Sequence, residues 1–147
     1  MTDNCDYDLS RFIEAQEENF ETALREINNG KKESHWIWYI FPQLRQLGRS
    51  DTALYYGIKD SSEARAYLDN PYLRNNLITI TDALLRHKNS RVENIMGEID
   101  AVKLRSCMTL FNHVSDNPIF SEVLNIFYDG KKDPLSMKIL SNEMNID

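Results

Sequence analysis

The sequence predicts an all-α fold of about seven to eight helices. Two observations support this prediction: apolar residues recur every three or four positions, and several capping residues are followed by proline at the first helical position. Patterns typical of a β-strand occur at 36–41 and at 78–81, and the second of these lies inside a strong helical stripe. A lone buried strand would leave backbone groups without hydrogen-bond partners, so we expect helices at both places.

The first helix is predicted to follow Asp8, whose carboxylate can accept hydrogen bonds from the free amides of a first turn. Tyr7 and Phe12 have the spacing of a hydrophobic staple, and Gly30 can adopt the left-handed conformation that ends a helix. One helical face carries the apolar residues Leu9, Phe12, Ile13, Phe20, Ala23, Leu24 and Ile27. Five glutamates are interpreted as its solvated face: Glu14, Glu17, Glu18, Glu21 and Glu26.

Later helices are predicted mainly from their caps. A capping residue precedes proline at three places: Asn70-Pro71, Asn117-Pro118 and Asp133-Pro134. The first of these helices continues with an apolar stripe of Leu73, Leu77, Ile80, Leu84 and Leu85. A capping box at 90–93 predicts a short helix that Gly97 ends, and Asp100 is predicted to open the next one.

The aromatic run at 36–41, "WIWYIF", is predicted to form a helix that is apolar on all sides. Such a helix passes through the middle of a domain and is covered by other elements. Pro42 should kink or end it, because proline removes a backbone donor and disfavours helical geometry in the preceding residue. If Trp38 were fully buried there, its replacement by alanine would cost about 3–5 kcal/mol.

Length and composition restrict the class of protein. A chain of 147 residues is predicted to form a single domain over 1–147, with 1–7 as a flexible N-terminal tail. The net charge of −6 disfavours binding to nucleic acid or to an anionic membrane. A signal peptide pattern and long apolar runs are lacking, and the two cysteines are too few for a disulfide framework, so we expect a cytoplasmic protein. The sequence leaves the oligomeric state open.

Residues 34–50, "SHWIWYIFPQLRQLGRS", contain the candidate binding residues. If Ser34 caps a helix, His35 and Trp36 lie in its first turn, where free amides and the helix dipole favour an anion. Arg49 and Ser50 precede the next short helix and offer a second anion-binding arrangement. If the segment doubles back at Pro42 and Gly48, the two helix starts could face one pocket. A surface histidine and solvated arginines would explain the same residues equally well.

A second cluster lies at 103–109, "KLRSCMT". On a helix, Lys103 and Ser106 share one side, and Lys103 or Arg105 could reach a ligand from across a pocket. Cys107 has a lysine four positions earlier that would lower its pKa if the thiol were exposed. We favour the more common alternative, in which Cys107 is a small buried apolar residue. No metal site, catalytic triad or phosphate-binding loop is readable, so no cofactor is predicted.

Several segments together resemble a known family. They are "RFIEAQ", "SHWIWYIFPQLRQLGRS", "ALYYGI", "EARAYLDNPYLR", "KLRSCMTLF" and "GKKDP". In this order they are similar to the bacterial family known as domain of unknown function 1810, over nearly the whole chain. The resemblance implies a small, mainly helical, single-domain protein without an established activity. Some members are labelled calpastatin-like, which denotes a disordered, repetitive inhibitor, and this aromatic, cap-rich sequence has neither property.

The function predicted from these observations is binding of a small anionic or nucleotide-like molecule in an aromatic and basic pocket. Trp36, Trp38, Tyr39 or Tyr56 would supply its walls. The predicted ligand-binding residues are His35, Trp36, Arg49, Ser50, Tyr56, Lys103 and Arg105. The alternative is a protein–protein interaction module with an exposed aromatic patch and no catalysis.

Overall fold

Capping residues and apolar stripes define nine α-helices in the computed structural model, which describes residues 7–144. The helices are α1 Ser10–Asn28, α2 Ile37–Ile40, α3 Asp51–Tyr56, α4 Ser61–Asp69, α5 Pro71–Leu85, α6 Val92–Met96, α7 Glu98–Val114, α8 Ile119–Tyr128 and α9 Pro134–Met144. Extended pairing within 7–144 is limited to one parallel bridge between Leu44 and Ile58. The predicted all-α fold is therefore confirmed, with one or two more helices than expected.

The first helix ends as predicted and begins slightly later. Gly30 follows α1 with a φ of 78°, a conformation that favours glycine. Asp8 Oδ1 accepts hydrogen bonds from the Ser10 amide at 2.9 Å and from the Ser10 hydroxyl at 2.6 Å. Of the tail predicted at 1–7, residues 1–6 lie outside the described part of the chain, and the Tyr7 hydroxyl donates to Asp60 Oδ1 at 3.4 Å.

Two of the three predicted asparagine or aspartate caps are confirmed where predicted. Asn70 Oδ1 accepts from the Leu73 amide at 3.1 Å at the start of α5, and Asp133 Oδ2 accepts from the Ser136 amide at 2.9 Å at the start of α9. The third is shifted: Pro118 precedes α8 instead of being its first residue, and Asn117 Oδ1 accepts from the Ile119 amide at 3.0 Å.

The predicted capping box at 90–93 is wrong. Helix α6 begins at Val92, the residue before it is Arg91, and no side chain caps it. Gly97 ends α6 as predicted, but it also directly precedes α7, which starts at Glu98 and not after Asp100. Because Gly97 has a φ of 85°, the chain turns sharply there and a separate linker is not needed.

The centre of the fold is α7, and the aromatic run is shorter than predicted. Helix α7 packs against α2, α4, α6, α8 and α9, and its Cys107 is fully buried, as expected for a structural cysteine. The run at 36–41 forms a single helical turn, which ends before Pro42 because Phe41 has a non-helical backbone. Its turn is not covered on all sides: Ile37 and Ile40 are buried, but Trp38 and Tyr39 are only partly buried.

Further contacts connect α1, α2, α4 and α5. Helix α1 packs along α5 and contacts α2, while α4 packs between α5 and α7. Within residues 7–144 no helix combines the length and the apolar character that crossing a membrane requires.

Candidate functional site

The segment between α1 and α2 is attached to α1 by one carboxylate. Glu26 Oε1 accepts hydrogen bonds from the amides of Glu33 at 2.7 Å and Ser34 at 2.9 Å, and from Trp36 Nε1 at 2.9 Å. Its Oε2 accepts from the Ser34 hydroxyl at 2.6 Å. Burial alone would raise the pKa of Glu26, but these hydrogen bonds outweigh it and lower the pKa from 4.5 to about 2.

These contacts correct two sequence-based interpretations. Glu26 was assigned to the solvated face of α1, yet it is buried, whereas Glu14, Glu17, Glu18 and Glu21 are exposed as expected. Ser34 was expected to cap a helix. Its hydroxyl instead donates a hydrogen bond to Glu26, and α2 begins only at Ile37 without a side-chain cap.

Lys32 joins the same segment to α6 and α7. Its ammonium lies 2.8 Å from Asp100 Oδ2, donates to the Ser34 carbonyl and lies 4.7 Å from the centre of the Trp36 ring. The side chain is only 5% exposed, so these three contacts compensate for its removal from water. The Lys32 amide also donates to the Ile95 carbonyl at 2.7 Å.

The start of α7 lies next to this lysine. A helix leaves its first amide groups without acceptors inside the helix, and Gly97 has no side chain with which to cap them. Glu98 and Asp100 place carboxylates in the first turn, where they interact favourably with the helix dipole. Asp100 is neutralised by Lys32 and also lies 3.9 Å from Lys103 Nζ.

These elements enclose a groove of about 550 Å³, called here the Trp38 groove. Its lining residues are Lys32, Glu33, His35, Ile37, Trp38, Met96, Gly97, Glu98, Ile99, Asp100 and Lys103. Trp38 forms the aromatic wall, and Lys103 Nζ lies 5.4 Å from the centre of its ring. Both signs of charge are present, since Lys103 and Lys32 face three carboxylates.

The structure brings together only some of the predicted ligand-binding residues. His35 and Lys103 line the Trp38 groove. Trp36 lies beneath it in the core, with 1% of its surface exposed. Arg49 and Ser50 are exposed and do not line the groove, although Ser50 caps α3 as predicted by accepting from the Ala53 amide at 3.1 Å.

The segment 34–50 does fold back, since α3 contacts α2 and the 3-10 turn Arg45–Leu47, but this reversal does not bring Arg49 and Ser50 to the Trp38 groove. The Arg45 amide donates to the Ile58 carbonyl at 2.8 Å, and the Ile58 amide donates to the Gln43 carbonyl at 2.9 Å. These bonds connect the 3-10 turn Arg45–Leu47 to the end of α3. The starts of α2 and α3 therefore do not line a common groove within residues 7–144.

The remaining two predicted ligand-binding residues, Tyr56 and Arg105, lie outside the Trp38 groove. Tyr56 lines a separate cavity together with Tyr39 and Tyr55. The Arg105 guanidinium donates to the carbonyls of Lys131 at 2.8 Å and Lys132 at 2.9 Å, so it connects α7 to the loop before α9.

Glu26, Lys32 and Asp100, which fix the segment that borders the groove, were not predicted as site residues. A signal for Glu26 was present, because it lies three positions after Ala23, a member of the apolar stripe of α1. No comparable signal exists for the Lys32–Asp100 pair, whose partners come together only through packing of the first loop on α7. Within residues 7–144 no three His, Cys, Asp or Glu side chains are grouped as a metal site requires.

The fold and the groove define a small all-α protein with a surface site of mixed charge beside a tryptophan. Residues 6–140 match the model of a family described as "Protein of unknown function (DUF1810)", and the chain belongs to this family. A solved structure titled as the conserved hypothetical protein Rv1873 from Mycobacterium tuberculosis is similar. It is 37% identical, with a TM-score of 0.90, and the match covers 92% of this chain and 98% of that chain. A search of curated proteins found no match.

Proposed function

We propose that this is a cytosolic protein that binds a small nucleotide-like molecule, with a planar ring and an anionic group, in the Trp38 groove. The observation that supports this proposal is the juxtaposition of a partly buried indole, the Lys103 ammonium and the uncapped start of α7. The groove volume of about 550 Å³ lies within the range of small-molecule sites, which is about 300–1,000 Å³.

The planar part of the ligand would lie against Trp38. An indole is a large apolar surface, and aromatic rings stack on it in offset or edge-to-face arrangements. Two buried apolar side chains, Ile37 and Met96, also line the groove.

The anionic part would lie between Lys103, His35 and the first amides of α7. Asp100 would repel an anion, but its charge is offset by Lys32 at 2.8 Å. Lys103 is held only loosely by Asp100, at 3.9 Å, and 28% of its side chain is exposed, so its ammonium remains able to bind a ligand. Each charge-assisted hydrogen bond would contribute about 1.5–3 kcal/mol.

The remaining carboxylates favour a nucleotide-like ligand over a bare anion. Glu33 and Glu98 line the groove, are exposed and can only accept hydrogen bonds when ionised. They would repel free phosphate, whereas the hydroxyl and amino groups of a nucleoside could donate to them. A molecule that carries both donor groups and an anionic group would therefore fit these charges better than a molecule that carries only one of the two.

The test is a calorimetric titration with AMP, adenosine and inorganic phosphate. AMP should bind at least about tenfold more tightly than adenosine or phosphate, since only AMP uses both parts of the groove. Lys103→Ala and His35→Ala should each weaken AMP binding by about tenfold while changing stability by less than about 1 kcal/mol, because both side chains reach solvent.

Arg49→Ala is the matched control, because it removes an exposed cation outside the groove. It should bind AMP like the wild type. If Arg49→Ala loses binding and Lys103→Ala does not, the anion site lies at the start of α3 and the groove assignment is wrong. If the wild type binds none of the three compounds, the proposal fails.

Protein interaction is the second candidate function, favoured by an aliphatic patch beside the groove. Ile99 is 73% exposed, and Val102 and Leu135 are each 62% exposed. Exposed apolar side chains of this size are typical of contact surfaces, and a two-fold arrangement would let the patch cover itself in a second copy. Sedimentation velocity should then show a dimer that Val102→Asp abolishes. A monomer at every concentration would exclude self-association through this patch.

A further inference from the structure

Three tyrosines form one wall of a second cavity, called here the tyrosine cavity, with a volume of about 240 Å³. Tyr56 lies between the other two rings. Its centre is 5.1 Å from that of Tyr39, with the planes at 55°, and 4.8 Å from that of Tyr55, with the planes at 81°. Because each ring lies against the next, the three tyrosines form a continuous aromatic wall.

Two carboxylates lie along the same cavity. Glu14 and Glu18 are four positions apart on α1, a spacing that places both side chains on one helical face, and both line the cavity. Burial, a neighbouring phenol and the charge of Glu18 raise the pKa values of Tyr39 and Tyr56; Glu14 also raises the pKa of Tyr56, and Arg11 lowers it. The cavity therefore has two carboxylates beside an aromatic wall.

Arg11, the cation that also lines the cavity, already has hydrogen-bond and ion-pair partners. Arg11 Nη2 donates to Glu63 Oε2 at 3.1 Å and to the Gly57 carbonyl at 3.0 Å, and its guanidinium lies 4.2 Å from the centre of the Phe12 ring. The Arg11 charge is thus offset by Glu63. The charges of Glu14 and Glu18 have no such partner among the ion pairs of residues 7–144.

We propose that the tyrosine cavity binds an organic cation of the alkylammonium class, with a trimethylammonium group as its best ligand. The negative face of an aromatic ring attracts a cation, and quaternary ammonium groups are recognised by such rings. A trimethylammonium group has no N–H donors, so it gives up no strong hydrogen bonds when it leaves water for an aromatic wall. Glu14 and Glu18, which also line the cavity, add Coulomb attraction. This site is separate from the Trp38 groove and does not depend on the function proposed for that groove.

The first experiment compares choline with its uncharged isostere, 3,3-dimethyl-1-butanol, by titration followed by NMR at constant ionic strength. The two molecules have nearly the same shape, so a difference in affinity reports the charge. Choline should bind at least about fivefold more tightly. Equal affinities, or no binding of choline, would overturn the proposal.

A second pair of ligands identifies the source of the group. A short peptide with trimethyllysine is compared with the same peptide carrying unmodified lysine, and with free choline. Tighter binding of the trimethyllysine peptide than of choline assigns the site to a protein ligand, and the reverse assigns it to a small molecule. Both results support a site for a trimethylammonium group, whereas preference for the unmodified lysine peptide contradicts it.

Matched variants test the two parts of the cavity. Tyr55 is 59% exposed, so it can be replaced without disturbing the core. Tyr55→Leu should weaken choline binding about fivefold, and Tyr55→Phe by less than about twofold, because phenylalanine keeps the aromatic face. Glu18→Gln should weaken binding, while Glu21→Gln, an identical change at an exposed position of α1 outside the cavity, should have a clearly smaller effect. If leucine and phenylalanine at position 55 behave alike, or if the two glutamine variants do, the aromatic cation site is refuted.

Discussion

Replacement of Glu26 by glutamine removes one charge from the centre of the loop contacts and leaves the shape of the side chain nearly unchanged. In the wild type Oε1 accepts three hydrogen bonds and Oε2 accepts one. A glutamine oxygen in the Oε1 position can still accept from Ser34 and Trp36, and its amide can donate to the Ser34 hydroxyl. The substitution therefore tests what the negative charge contributes.

The magnitude follows from the pKa. A carboxyl with a pKa of about 2 in the folded protein and 4.5 in the unfolded chain stabilises the fold by about 3 kcal/mol when ionised. Because the folded pKa is the lower one, this contribution is complete above about pH 5 and is lost as the pH falls toward 2. We expect Glu26→Gln to lower the free energy of unfolding by about 3 kcal/mol at pH 7. The difference should shrink to about 1 kcal/mol at pH 3.

The assay is urea unfolding of both proteins at pH 7, 5, 4 and 3, followed by circular dichroism and by tryptophan fluorescence. Other groups titrate equally in the two proteins, so the difference between them isolates Glu26. A difference that stays constant from pH 7 to pH 3 would refute the assignment of the low pKa. A difference below about 1 kcal/mol at pH 7 would show that the four hydrogen bonds gain little from the charge.

Four further predictions concern single side chains. Trp36→Ala should cost about 3–5 kcal/mol in urea unfolding because the ring is fully buried, whereas Trp38→Ala should cost less than half as much because that ring is only partly buried; equal costs would contradict this. Gly97→Ala should lower stability by about 1–3 kcal/mol through backbone strain at a φ of 85°, although its methyl group meets no atom within 4 Å; an unchanged melting temperature would show that the turn relaxes. Cys107 should react with a thiol reagent only after unfolding, since burial raises the pKa of its thiol; rapid labelling of the native protein would refute this. Arg105→Ala should cost about 1–2 kcal/mol by removing two hydrogen bonds to the loop before α9; a thermal melt like that of the wild type would show that water replaces them.

The features of the fold that the sequence predicted correctly are mostly local. The caps at Asn70 and Asp133 depend on atoms three residues apart, so their residue types and spacing suffice. The capping box at 90–93 failed although its residue types are equally favourable. There the Ser90 amide donates to the His87 carbonyl at 2.9 Å, so Ser90 belongs to the turn after α5, and α6 begins only at Val92.

The candidate site could be predicted only in part for the same reason. His35 and Lys103 were named from local chemistry, and the structure places both on the Trp38 groove. The pairing of Lys32 with Asp100 joins the loop after α1 to the first turn of α7, and no local pattern specifies that contact. An approach of Arg49 to His35 was expected if the segment doubled back; α3 does contact α2, but Arg49 remains exposed outside the groove, and no local pattern could specify which residues the fold-back would bring together.

The single turn of α2 has a consequence for communication between the two cavities. Its neighbouring residues Trp38 and Tyr39 line different cavities, and the turn is attached to α1 through the Gln16 amide, which donates to the Tyr39 carbonyl at 2.8 Å. A displacement of this short turn moves both side chains, because Trp38 and Tyr39 are adjacent on its backbone. If both proposed ligands bind, a ligand that displaces the turn from one cavity should change affinity at the other, and the second ligand must then change affinity for the first by the same factor.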